Sequence, residues 1–86
     1  MSEDKKSVLW APEAREQLRA IDRESALQIL HAVDDYLTRG VGEVKKLRPP
    51  RTELRLRVGD YRVFFYQQAP KSIDIVGVKH RSDAYR

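Results

Sequence analysis

Glu53-Leu54-Arg55-Leu56-Arg57-Val58-Gly59-Asp60-Tyr61-Arg62-Val63-Phe64-Phe65-Tyr66 is the stretch on which the fold turns. Leu54, Leu56 and Val58 alternate with Arg55 and Arg57, the period of two that sends successive side chains to opposite faces of a strand. Gly59-Asp60 suits a tight primed turn, and Tyr61 to Tyr66 is rich in the aromatic and β-branched types that strands favour. The unit is a hairpin with one apolar face. With Gly59 and Asp60 as its loop, Val58 faces Tyr61, Arg57 faces Arg62, Leu56 faces Val63 and Arg55 faces Phe64. Arg55, Arg57 and Arg62 then share a face. Like charges directly opposite across two strands are destabilising, so folding alone gives no reason for the Arg57/Arg62 pair. A polyanionic ligand does.

Outward from the hairpin, charge divides the chain. Residues 1–44 carry six Lys or Arg against nine Asp or Glu, and residues 45–86 carry eleven against four. The partner surface is therefore expected in the second half, with nucleic acid or an acidic protein segment as its partner. Lys45, Lys46, Arg48 and Arg51 surround Pro49-Pro50 in the segment before the hairpin, which reads as a connector held extended by its prolines. After the hairpin, Ser72 to Val78 reads as a third strand, apolar on both faces and so central. Gly77 within it suggests a bulge or a close backbone approach, which leaves the face of Lys79 open.

Before the connector, Val8-Leu9-Trp10 is long enough for an edge strand. Pro12 suits a helix start, and Ala14, Leu18 and Ile21 give it helical spacing to about Ile21. Ala26, Ile29, Leu30, Val33 and Leu37 form one apolar stripe, predicting a second helix that Asp22 caps and Gly40 ends. The fold class expected is α+β: an N-terminal strand and a two-helix hairpin packed on a small antiparallel sheet with a three-strand C-terminal meander. At 86 residues, one domain spanning 1–86 is expected. No cysteine is present, which excludes a disulfide framework, and two histidines are thin material for a metal centre. The polar N-terminus has no apolar run suited to a signal peptide or membrane span. A cytoplasmic protein with no membrane partner is expected.

Several cations with one histidine and one tyrosine near strand ends suit metal-independent cleavage of RNA, in which the 2′-hydroxyl attacks the adjacent phosphate. That chemistry needs a base, cations for the developing phosphorane charge and an acid for the leaving 5′-oxygen. No cofactor is called for. Arg57 and Arg62 suit charge stabilisation, since guanidinium forks match phosphate geometry. His80 suits proton transfer near neutrality, and Tyr85 suits stacking on a base. Phe64 and Tyr66 alternate onto the arginine face and are expected to pack beneath the C-terminal tail.

Leu54 to Val63, together with Val78-Lys79-His80-Arg81-Ser82-Asp83-Ala84-Tyr85-Arg86, resembles the RelE branch of the RelE/ParE toxin superfamily. The likeness extends over nearly the whole chain. It implies a RelE-like fold and the toxin of a type II toxin–antitoxin system, one that cleaves messenger RNA in the ribosomal A site. By position, Arg55 and Arg57 stand where RelE toxins place basic catalytic residues, often lysines. Arg62 matches the arginine thought to stabilise the transition state, Lys79 stands near a position where an arginine serves as acid, and Tyr85 matches a tyrosine that orients substrate. With arginines in place of lysines, His80 is the better candidate base. The expected catalytic set is Arg57, Arg62, His80, Arg81 and Tyr85. The expected RNA-binding set is Lys45, Lys46, Arg48, Arg51, Arg55 and Lys79. The expected partners are ribosome, messenger RNA and a cognate antitoxin with an acidic, partly disordered segment, in a hetero-oligomeric complex. A ParE-like toxin that inhibits DNA gyrase without catalysis, and a non-catalytic module binding RNA or acidic protein, are the alternatives.

Overall fold

The computed structural model describes residues 6–84. In chain order it contains strand β1 (Ser7–Trp10), helices α1 (Pro12–Arg19) and α2 (Arg23–Arg39), and strands β2 (Glu43–Lys46), β3 (Leu54–Val58), β4 (Tyr61–Ala69) and β5 (Ser72–His80). The five strands form one sheet in the order β1-β5-β4-β3-β2. Only β1 runs parallel to its neighbour; the other pairings are antiparallel. The edge position of β1 and the interior position of β5 agree with their sequence patterns.

The helices start and stop for local reasons. Asp22 accepts a hydrogen bond from the Ser25 backbone N–H at 3.0 Å and so caps α2. That bond also holds the Asp22 carboxyl below the ordinary carboxylate range. Gly40 ends α2 with φ +69°, in the left-handed region where glycine carries no side-chain penalty. Helix α1 stops at Arg19, two residues short of expectation, although Ile21 still packs against the core.

Ala14, Ile29, Val33 and Leu37 from the helices meet Leu56, Val63, Phe65, Ile73, Ile75 and Val78 from the sheet. Both helices therefore cover one sheet face. Tyr36 adds a tie from α2 to β4 through its hydroxyl, 2.7 Å from Gln67 Oε1.

Two features of the connector differ from expectation. Residues Glu43–Lys46 form β2, paired along β3, because Val44 supplies the one apolar contact such a short edge strand needs. Pro49 and Pro50 are not extended. They lie within a turn closed by the Arg51 N–H on the Arg48 carbonyl at 3.1 Å, which reverses the chain between β2 and β3.

Candidate functional site

The hairpin register is the expected one: Val58 opposite Tyr61, Arg57 opposite Arg62, Leu56 opposite Val63, Arg55 opposite Phe64. Gly59 has φ +58° and Asp60 does not share a positive φ, a pattern that fits a II′ turn. Leu56 and Val63 enter the helix-covered core, so Arg55, Arg57 and Arg62 belong to the face without helices.

On the far side of β4, the register carries this row into β5. Phe64 pairs with Gly77 and Phe65 with Ile75, so Val76 is an extra residue. Ile73 and Ile75 point into the core, and without the bulge Gly77 and Lys79 would follow them. With it, Lys79 lies opposite Arg62 and joins the arginine face. On the other side, β2 sets Glu43 opposite Arg57 and Lys45 opposite Arg55. The result is a row Glu43–Arg57–Arg62–Lys79 running across four strands, about 14 Å at a strand spacing of about 4.8 Å.

Within the row, Arg62 is the fixed member. It is only 8 % exposed, and its Nη1 donates to the Gly59 and Tyr61 carbonyls at 2.9 and 3.0 Å. Its Nε is buried without a hydrogen-bond partner. A buried donor left unmade costs about 1–3 kcal/mol, so Arg62 is held at some expense to folding. Arg57 is half-exposed, and its Nη1 lies 3.6 Å from Glu43 Oε2. Glu43 is the carboxylate of this row that sequence reasoning missed. The signal lay in Val44, which marks a strand whose neighbours must face away from the core.

Beside the row, opposite Arg55 and Gly77, Phe64 is 3 % exposed. Arg51 lies over its ring, 5.1 Å from the centroid, while Glu53 Oε2 accepts from Arg51 Nε and Nη2 at 3.2 and 2.8 Å. The Arg51 hydrogen bond holds the Glu53 carboxyl below the usual carboxylate range. Arg51 with Lys46, Arg48 and Arg55 lines a cleft.

His80 is placed elsewhere. It pairs with Tyr61 and so shares the helix side with Val58 and Val78, where it meets the Tyr61 ring edge-on at 5.3 Å. Its Nδ1 accepts from the Ser82 N–H at 3.2 Å and lies 3.0 Å from Ser82 Oγ. An acceptor Nδ1 assigns the proton of the neutral ring to Nε2. His80, expected as the base, therefore does not lie on the arginine face: the Val76 bulge sets Lys79 in the row and His80 on the opposite side of the sheet. Arg81 is tied to the hairpin tip: its N–H reaches the Asp60 carbonyl at 2.7 Å and its Nε stands 3.8 Å from Asp60 Oδ1. Tyr85 lies outside the described residues. Tyr66 is exposed and Phe64 is buried, with Arg51 and not the tail shown over the Phe64 ring.

The chain matches a family model described as the ParE toxin of the type II toxin–antitoxin system parDE over residues 8–85. No curated protein matches it. Among solved structures it is similar to an archaeal RelE–RelB complex from Pyrococcus horikoshii, at 24% identity and TM-score 0.70 over 92% of this chain and 98% of that one. It is also similar to a RelB–RelE antitoxin–toxin complex from Methanococcus jannaschii, at 20% identity and TM-score 0.71 over 90% and 94%. The RelBE2 toxin–antitoxin complex from Mycobacterium tuberculosis is 27% identical, with TM-score 0.62 over 88% and 98%.

Proposed function

Because the chain belongs to the ParE toxin family of type II toxin–antitoxin systems, within the RelE/ParE superfamily, we propose that it is a ribosome-dependent endoribonuclease cutting messenger RNA in the A site. The observation that carries this reading is the row Glu43–Arg57–Arg62–Lys79. It offers, in order, a carboxylate, two guanidinium groups and an ammonium on one face.

In the proposed mechanism the Glu43 carboxylate removes the proton of the ribose 2′-hydroxyl. The freed oxygen attacks the adjacent phosphorus, and the bond to the 5′-oxygen breaks. Arg57 and Arg62 hold the charge that builds on the phosphoryl oxygens, Arg62 from a position fixed by the turn carbonyls. The Lys79 ammonium gives its proton to the departing 5′-oxygen. A 2′,3′-cyclic phosphate and a 5′-hydroxyl are the products. Every step uses side chains alone, so no metal is needed.

The cognate antitoxin is proposed to lay an acidic, partly disordered segment across this face, forming a hetero-oligomer and masking Arg57 and Arg62. No helix among the described residues is long and apolar enough to cross a membrane.

A second reading has its own support, since the matching family model carries the ParE name. Inhibition of DNA gyrase by protein contact would leave the row without a chemical task. Incubating purified protein with messenger-programmed ribosomes separates the two. Cleavage that falls at least about 100-fold in Glu43→Gln supports the nuclease. Ribosomes left with intact message, alongside a gyrase that is inhibited, would replace it.

A further inference from the structure

The cleft beside the row is lined by Lys46, Leu47, Arg48, Arg51 and Arg55 and has a volume of about 340 Å³, a size that admits a nucleotide-sized ligand. Four cations around one cavity repel one another, and the nearby carboxylate, Glu53, is engaged by Arg51. Arg51 itself is already organised. Phe64 lies under its guanidinium and Glu53 holds its Nε and Nη2, so ordering that side chain for a ligand costs little further entropy. Phe64 is buried and offers no free ring face. The planar group available to the cleft is therefore the guanidinium.

We propose that this cleft is a nucleotide subsite for single-stranded RNA flanking the cleaved bond, with Arg51 as the platform for an unpaired base and Lys46 and Arg48 on its phosphate. Bases stack on arginine planes as they do on aromatic rings. The subsite adjoins the row, because Arg55 and Arg57 stand two residues apart on β3, about 6.6 Å, the scale of one nucleotide step. It extends the RNA-directed reading above from the reacting phosphate to its neighbour.

The test measures binding and not cleavage. The probe is a short single-stranded 2′-O-methyl RNA, which cannot attack through its 2′-oxygen, compared with the same oligonucleotide carrying abasic sites. The native protein is expected to prefer the base-bearing strand by at least about fivefold. Arg51→Lys keeps the charge and loses the plane; it should bind the abasic strand as before and bring the preference to within about twofold. Glu53→Gln, which frees Arg51, should also lower the preference while strengthening abasic binding. Equal native binding of the two strands, or a preference that survives Arg51→Lys, overturns the subsite. A protein that cuts ribosomal messages without base preference loses the subsite alone, whereas base preference without cleavage removes the nuclease and leaves the subsite standing.

Discussion

Arg62 is tied to its own hairpin by the two carbonyls it bonds, at Gly59 and Tyr61, so its charge cannot drift from the row. Removing it has two separable effects. Arg62→Ala should unpair those carbonyls but also remove the unpaired buried Nε, lowering stability by no more than about 2 kcal/mol in denaturant unfolding, and reduce cleavage by about 100- to 1,000-fold. Arg62→Lys should recover part of the stability but little of the rate, since one ammonium cannot bond the turn and fork around a phosphate together. His80→Ala gives the contrasting result. With His80 on the helix side, cleavage should stay within about threefold of native, and a loss as large as that of Arg62→Ala would put the base back at His80. Acid acts on the other fixed arginine. The Arg51 hydrogen bond lowers the Glu53 pKa, so the pair stabilises the folded chain above the ordinary glutamate value of about 4.3. That stability is lost as pH falls through the lower folded value. The loss should vanish in Glu53→Gln, as read from unfolding midpoints across that range.

At the scale of elements, β5 carries the decisive irregularity. Val76 adds one residue, and everything after it changes face. Deleting Val76 would return Gly77 and Lys79 to the core side and bring His80 to the row. The deletion should lower stability by at least about 2 kcal/mol through burial of a lysine and abolish cleavage; retention of both would mean that β5 does not hold this register. Sequence made the β3–β4 hairpin legible because the Leu54-Arg55-Leu56-Arg57-Val58 alternation and the Gly59-Asp60 turn both specify the same pairing. It left β5 undecided, since a strand apolar on both faces loses the alternation that marks which side is which. Strand β2 was hidden for a different reason: with four residues and one apolar contact, Glu43–Lys46 becomes a strand through its pairing with β3 and not through its own pattern. Glu43 was missed with it. The helices were readable because Asp22 and Gly40 state their ends chemically.

The whole molecule is electrically two-sided in its chain order, acidic through the helices and basic from Lys45 onward. Such a field steers a polyanion to the sheet face and weakens as salt screens it. If Arg55, Arg57, Arg62 and Lys79 neutralise about four phosphates, the logarithm of single-strand RNA affinity should fall against the logarithm of salt with a slope near −3. A slope near zero would mean that this face does not bind RNA through its charges. The most direct measurement is a map of new RNA 5′ ends after brief induction in bacterial cells, with Arg62→Ala induced in parallel. Cuts at in-frame codon positions that carry 5′-hydroxyl ends and disappear in the variant are expected. Growth arrest with intact messages, unchanged by Arg62→Ala, would contradict a ribonuclease built on the row.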